Sequence, residues 1–157
     1  MEIELATNAD LYEIVTRLGL AVLLGMLLGL DRELNRKPAG LRTSMLVSLG
    51  AALTTLVAFE LYYSVDELKG SSQADPLRAI EGVVGAIGFL GAGVIIQGRG
   101  RVQHMTTAAN IWICGTIGLA CGGGFYVVAI IAFIFAIVIL TVLRWVEHLF
   151  IQPKQKE

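Results

Sequence analysis

The apolar residues of this chain fall into five long runs that short polar stretches separate. The hydrocarbon core of a bilayer is about 30 Å thick, and a helix needs roughly 20 apolar residues to cross it. The runs that meet this need extend from Ile14 to Leu30, Thr43 to Tyr63, Ala79 to Gln97, Thr106 to Cys121 and Phe125 to Leu143. The pattern predicts an all-α membrane protein, a polytopic bundle of about five transmembrane helices.

These helices leave little chain for any other domain. We therefore expect residues 1–157 to form a single transmembrane domain, with a short cytoplasmic tail over residues 144–157. The residues before the first helix carry acidic side chains and no Lys or Arg, whereas a secretory signal peptide begins with basic residues. The first helix is expected to be retained. Asp75 and Pro76 form a helix-start signal just before the third helix.

Composition agrees with a membrane protein, because 55% of residues are hydrophobic and only 16% are charged. The 12 basic and 13 acidic residues nearly cancel, so the chain has no basic field that would attract nucleic acid. Cys114 and Cys121 lie within one apolar run, and their spacing fits neither a disulfide framework nor a zinc site. We expect both to be small helix-packing residues and expect no transition-metal centre.

Basic residues indicate how the helices are oriented, since short loops rich in Lys and Arg stay cytoplasmic. With five helices and an external amino terminus, three basic residues lie towards the outside, namely Arg17, Lys69 and Arg78. The other nine lie inside, namely Arg32, Arg36, Lys37, Arg42, Arg99, Arg101, Arg144, Lys154 and Lys156. The sequence therefore predicts the amino terminus outside and the carboxyl terminus in the cytoplasm.

Small residues recur at helical spacing in several of the predicted helices. Helices in lipid approach closely where small residues let their backbones touch. The glycines that we expect to pack helices together are Gly25, Gly29, Gly88, Gly91 and Gly93. A conduit lined by glycine, or a helix broken at an ion site, is the alternative. The fifth helix has no glycine between Tyr126 and Leu143 and is expected to face lipid at the edge of the bundle.

Three ionisable residues lie at a similar depth near the outer ends of helices. Arg17, Glu60 and Glu81 are candidates for an outer-side ion-pair cluster, because charges within a membrane are costly and usually paired. The alternative is that each side chain extends separately to the interface.

A second polar group is predicted at the inner side, where the first helix ends and the fourth begins. Its members are Asp31, Arg32, Glu33, Arg42, Thr106, Thr107 and Asn110. Asp31 and Glu33, with neutral oxygens from the fourth helix, are possible ligands of Mg²⁺. Paired carboxylates and helix-capping threonines are the alternative, in which Asp31 accepts from Arg32, Arg42 or an inner loop. No cofactor is expected beyond this possible Mg²⁺.

The arrangements typical of catalysis are missing from the sequence. It has no Ser-His-Asp, Cys-His or paired-carboxylate pattern where substrate and water would meet, so we do not expect an enzyme. A transporter needs a polar path through the middle of the bilayer, and the middle of each predicted helix is nearly free of charge.

Four blocks of sequence resemble the amino-terminal membrane domain of the MgtC/SapB family. They are Gly29-Leu30-Asp31-Arg32-Glu33, Lys37-Pro38-Ala39-Gly40-Leu41-Arg42-Thr43, Gly88-Phe89-Leu90-Gly91-Ala92-Gly93-Val94-Ile95 and Met105-Thr106-Thr107-Ala108-Ala109-Asn110-Ile111-Trp112. The resemblance covers residues 17–143 and implies a bacterial inner-membrane protein of four or five helices. Two departures are Ser44, where relatives often carry His, and a chain that stops before the soluble carboxyl-terminal domain of several relatives.

The resemblance also implies a role. Members of this family are linked to growth in low magnesium, to survival under stress or inside a host, and to restraint of the proton-translocating ATP synthase. They resemble regulators more than pumps. We expect a regulatory or interaction protein that contacts another membrane protein or a second copy of itself; the alternative is a transporter or channel for Mg²⁺ or another divalent cation.

Overall fold

The computed structural model describes residues 9–69, 75–96 and 103–150, with side chains described for 9–64, 75–96 and 103–142. This part of the chain contains five helices and no strand: α1 (Leu11–Leu34), α2 (Leu41–Lys69), α3 (Pro76–Ile96), α4 (Met105–Gly122) and α5 (Tyr126–Phe150). The predicted all-α bundle is confirmed. Residues 151–157 of the expected tail, and the inner-side Arg99 and Arg101, lie outside the described residues.

Four helices are long and apolar enough to cross a membrane, on length and composition. They are α1, α2 from Leu41 to Ser64, α3 and α4. In α5 the apolar part that is described runs from Tyr126 to Val142. A bundle with several membrane crossings follows, and a fifth crossing by α5 stays a prediction.

Polar caps determine where α1 and α3 begin. The Asp10 carboxylate accepts from Leu11 N at 2.9 Å, and the Asp75 carboxylate accepts from Leu77 N at 2.9 Å. Such caps satisfy backbone N–H groups that have no partner inside the helix. The start signal predicted at Asp75 and Pro76 is confirmed.

Helix α4 lies at the centre of the bundle and contacts the other four helices. Its buried residues include Asn110, Cys114, Ile117 and Cys121, and the main apolar core forms where α4 meets α1 and α2. By contrast, among the described helices α5 contacts only α4 and α1, and most of its side chains up to Val142 are exposed. The expected position of α5 at the edge of the bundle agrees with these contacts.

Backbone-to-backbone approach joins α1, α2 and α4. A Cβ atom on Gly25 would lie 2.8 Å from Ser44 O, and one on Gly29 would lie 2.7 Å from Leu41 Cα. A Cβ atom on Gly118 would overlap the Ser48 backbone. Because only glycine permits such distances, α1 packs closely against α2 at Gly25 and Gly29.

The glycines of α3 behave differently from those of α1 and α4. Gly91 is buried, and a Cβ atom there would touch Ala108 at 3.5 Å. Gly88 and Gly93 have no described atom within 4 Å of that position, and neither do Gly82 and Gly85. These four glycines do not pack against the described helices of their own chain. Helix packing by Gly88 and Gly93 therefore stays a prediction, and it would involve a helix other than the described ones.

Candidate functional site

A buried polar cluster lies between the inner ends of α1, α2 and α4. We define the inner polar cluster as Arg32 of α1, Ser44 and Ser48 of α2, and Thr107, Asn110 and Cys114 of α4. Each of these residues is buried, and Arg32 is only 2% exposed. A guanidinium stays charged under all ordinary conditions, so its burial requires acceptors around it.

The Arg32 guanidinium connects three parts of the chain. Its Nη2 donates to Thr107 Oγ1 on α4 and, at 3.5 Å, to the carbonyl oxygen of Pro38 in the loop after α1. The loop carries unusual backbone, since Arg36 and Ala39 have positive φ angles of 51° and 54°. Arg32 therefore fixes the end of α1, the following loop and the start of α4 against one another.

Asn110 continues the cluster towards the middle of the bundle. Its Nδ2 lies 3.5 Å from Ser44 Oγ and 3.7 Å from Cys114 Sγ. The Oδ1 atom of Asn110 and the Oγ atom of Ser48 are buried and have no hydrogen-bond partner among the described residues. Polar atoms left unpaired in a core are uncommon and costly, which marks this cluster as a candidate functional site.

The two carboxylates proposed as magnesium ligands have other roles in the structure. Glu33 Oε2 accepts from Leu41 N at 3.3 Å and so caps the first turn of α2. The same carboxylate lies over Gly40, where any Cβ atom would overlap it. Asp31 Oδ1 accepts from Asn35 Nδ2 at 3.3 Å, at the carboxyl end of α1.

These positions fit a divalent cation poorly. Among the described residues, no group of three or more His, Cys, Asp or Glu lies close enough together to hold a metal ion. The charge buried beside Thr107 and Asn110 is a cation, Arg32, which repels Mg²⁺. The side chains of the inner polar cluster therefore favour a hydrogen-bonded contact between helices over an ion-binding site.

The predicted inner-side group is only partly brought together. Arg32, Thr107 and Asn110 meet in the cluster, whereas Arg42 and Thr106 are exposed. The ion pair suggested between Asp31 and Arg32, Arg42 or an inner loop stays a prediction, because residues 97–102 of the inner side lie outside the described residues. Arg32 itself extends into the bundle and donates to Thr107 on α4.

Sequence reasoning missed Ser44, Ser48 and Cys114 as members of the cluster. From the sequence, Ser44 stands out only as a departure from the family, and Cys114 is expected only as a packing residue. The available signal was the spacing of small polar residues at positions 44, 48 and 55 along α2, which places them on one helix face.

The three residues of the predicted outer-side cluster have the following surroundings. Arg17 pairs with Glu13, one turn earlier on α1, and Arg17 Nη1 donates to Gly122 O at 2.9 Å. Glu60 accepts from Ala9 N at 3.0 Å, and Glu81 is exposed on α3. Arg17 thus pairs within its own helix, and a cluster that joins it to Glu60 and Glu81 stays a prediction. Arg17 instead neutralises the carboxyl end of α4, where unpaired carbonyls carry partial negative charge.

A cavity of about 400 Å³ lies between α4 and α5, next to the inner polar cluster. Thr106 and Asn110 line one side of it, and the remaining lining residues are Ala109, Ile113, Ala132, Phe135, Ala136, Ile139 and Leu140. None of these side chains is charged, so the cavity offers no ligand strong enough to replace the hydration shell of a divalent cation.

Comparisons with known proteins identify the family. The model of the MgtC family matches residues 18–149. Protein SapB of Bacillus subtilis is 36% identical over 141 residues, covering 85% of this chain and 58% of SapB. Protein MgtC of Brucella abortus is 39% identical over 124 residues, which cover 79% of this chain and 48% of MgtC.

A third relative, from Escherichia coli, is named "Putative magnesium transporter YhiD" and is 35% identical over 133 residues. That match covers 83% of this chain and 60% of YhiD, so the chain spans about half to three fifths of the length of these relatives. No solved structure matches the chain. The family match, which confirms the resemblance carried by the four sequence blocks, shows that this multi-pass membrane protein belongs to the MgtC family.

Proposed function

We propose that this protein is a regulator of a bacterial inner membrane, linked to magnesium homeostasis and to adaptation to stress or virulence, which acts by contacting another protein within the membrane. The observation that carries the proposal is the outward face of α3. Gly82, Gly85, Gly88 and Gly93 lie where no described helix approaches them.

That face is unsuited to contact with lipid alone. Each glycine in a helix interior costs about 0.5 to 1 kcal/mol relative to alanine, and a lipid-facing position gives nothing in return. Small residues in membrane helices are typical of surfaces where a second helix approaches closely. A helix that keeps four glycines on an open face is therefore suited to dock a partner.

The core of the bundle supports contact rather than transport. Beside Ser48 of the inner polar cluster, a side chain on Gly118 would overlap the α2 backbone, and a side chain on Gly122, at the other end of α4, would overlap Ala52. These close approaches leave no room for a hydrated ion between α2 and α4. The described parts of α4 and α5 also carry no charged side chain from Met105 to Val142.

Magnesium transport is the second candidate function. The observation in its favour is the relative YhiD, whose name proposes such transport, and this chain covers 60% of that protein. The alternative needs a path outside the α1–α2–α4 core, because the close contacts at Gly118 and Gly122 close that route.

Photo-crosslinking from α3 tests the proposed contact. Phe89 is 81% exposed on the outward face of α3, and Phe135 is 61% exposed on α5. A photoreactive phenylalanine analogue placed at Phe89 should give a discrete crosslinked protein in growing cells, whereas the same analogue at Phe135 should give none. Equal products from both positions, or no protein product from Phe89, would contradict a docking role for α3.

The orientation proposed from the basic residues places the amino terminus outside and the carboxyl terminus in the cytoplasm. Single cysteines at Ser71 and Gln155, in a chain lacking Cys114 and Cys121, should respond oppositely to a membrane-impermeant thiol reagent. We expect labelling at position 71 in intact cells and at position 155 only after the membrane is opened. Equal labelling of both in intact cells contradicts an odd number of crossings.

A further inference from the structure

Two charged residues on α3 have no partner within the described part of the chain. Arg78 and Glu81 are both exposed, and neither forms an ion pair with a described residue. The 21 residues of α3 measure about 31 Å at 1.5 Å per residue, close to the thickness of the hydrocarbon core. Glu81 then lies about 7 Å inside the outer end of α3, where an unpaired carboxylate facing lipid is costly.

These two charges lie beside the outward glycine face of α3. At 100° per residue, Arg78 shares one side of α3 with Gly82, Gly85 and Phe89, and Glu81 lies at the edge of that side. The buried residues Ile87 and Gly91 lie on the opposite side, against α4. A partner that covers the glycines therefore also meets Arg78 and Glu81.

The shape of the face is complementary to itself. Phe89 projects from its centre and is 81% exposed, and glycines without a side chain lie one turn before it and one turn after it, at Gly85 and Gly93. When two such faces meet, the aromatic ring of each has a recess of the other to enter.

We propose that the occupant of this face is a second copy of the same chain, packed α3 against α3 about a two-fold axis normal to the membrane. This inference rests on the proposed function, because it names the partner of the same α3 face. Two copies in one membrane share an orientation, so their α3 helices run parallel. The symmetry then places Arg78 of each copy near Glu81 of the other, and both charges gain an opposite partner.

Charge exchange between two separately tagged full-length copies tests the proposal in membranes. Arg78→Glu gives a copy with two acids at these positions, and Glu81→Arg gives a copy with two bases. Each variant alone brings like charges together twice, so recovery of one tag with the other should fall about tenfold or more relative to the original chain. Co-expression of the two variants restores two opposite pairs and should restore recovery.

The mixed experiment also controls for folding defects. Each variant carries the same substitution when it is expressed alone and when it is co-expressed, so a folding defect would lower recovery in both cases. Recovery that stays low in the mixture overturns the symmetric pairing. Unchanged recovery in the single variants overturns it as well, because Arg78 and Glu81 then interact only within one helix.

The outcome also separates this inference from the function on which it rests. If a photoreactive group at Phe89 captures a different membrane protein and the two tags do not associate, the docking role of α3 stands and the second copy is wrong. If Phe89 captures no protein and the tags do not associate, both are wrong.

Discussion

Replacing Thr107 by Val is expected to lower the free energy of unfolding by about 1.5 to 3 kcal/mol, the usual range for a hydrogen bond to a charged group. Thr107 is 1% exposed, and its hydroxyl accepts from the buried Arg32 guanidinium. Valine has almost the same shape, so the change removes the acceptor without leaving a cavity. The measurement is an unfolding titration of the purified protein in detergent micelles.

Thr106→Val supplies the matched control. Thr106 is the preceding residue on α4, undergoes the same chemical change, and is exposed. Its effect should stay within about 0.5 kcal/mol, as for most surface substitutions. Equal losses for the two variants would show that the Arg32–Thr107 contact does not hold α1 and α4 together.

The second large effect is expected for Gly118→Ala. A Cβ atom at this position would overlap the carbonyl oxygen of Ser48 and lie 2.9 Å from Ser48 Cα. The obstacle is backbone, which cannot rotate away as a side chain does, so α2 and α4 must separate. Overpacking of this kind costs typically 1 to 3 kcal/mol and occasionally more. The same unfolding titration measures it.

Gly50→Ala is the control for that change. Gly50 lies in the middle of α2, and a Cβ atom there has nothing described within 4 Å. Alanine should be neutral or stabilise by about 0.5 to 1 kcal/mol, because glycine weakens a helix interior. A Gly118→Ala variant as stable as Gly50→Ala would contradict the close approach of α2 and α4.

Most of the fold could be predicted from the sequence, because bilayer thickness determines how long an apolar helix must be. The hydropathy pattern predicts that the first span begins at Ile14, whereas the helix begins at Leu11. Hydropathy ends a span at its first charged residues, whereas the helix continues to the polar cap that satisfies its backbone, which here is Asp10.

The site could be predicted only in part. The motifs identified Arg32, Thr107 and Asn110, but nothing in the sequence showed that Arg32 turns inwards while its neighbours Asp31 and Glu33 bond within the α1–α2 connection. That difference depends on how α4 crosses α1. The pairing of Arg17 with Glu13 was available from their spacing of four residues, which places both on one helix face.

The glycines show the same limit. Gly29 and Gly88 both occur in rows of small residues, yet Gly29 contacts α2 closely and Gly88 has no described neighbour. Small-residue spacing predicts that a helix will be approached, and only the three-dimensional arrangement shows whether the approaching helix belongs to the same chain. This distinction separates the internal core of α1, α2 and α4 from the open face of α3.

The central proposal is that this protein works by contact and does not itself carry magnesium across the membrane. The most direct test is magnesium uptake into liposomes that contain the purified protein and a magnesium-sensitive dye. The close contacts at Gly118 and Gly122 and the absence of charged residues from Met105 to Val142 predict uptake equal to that of empty liposomes. Saturable uptake that is lost in Asp31→Asn or Glu81→Gln would contradict the claim.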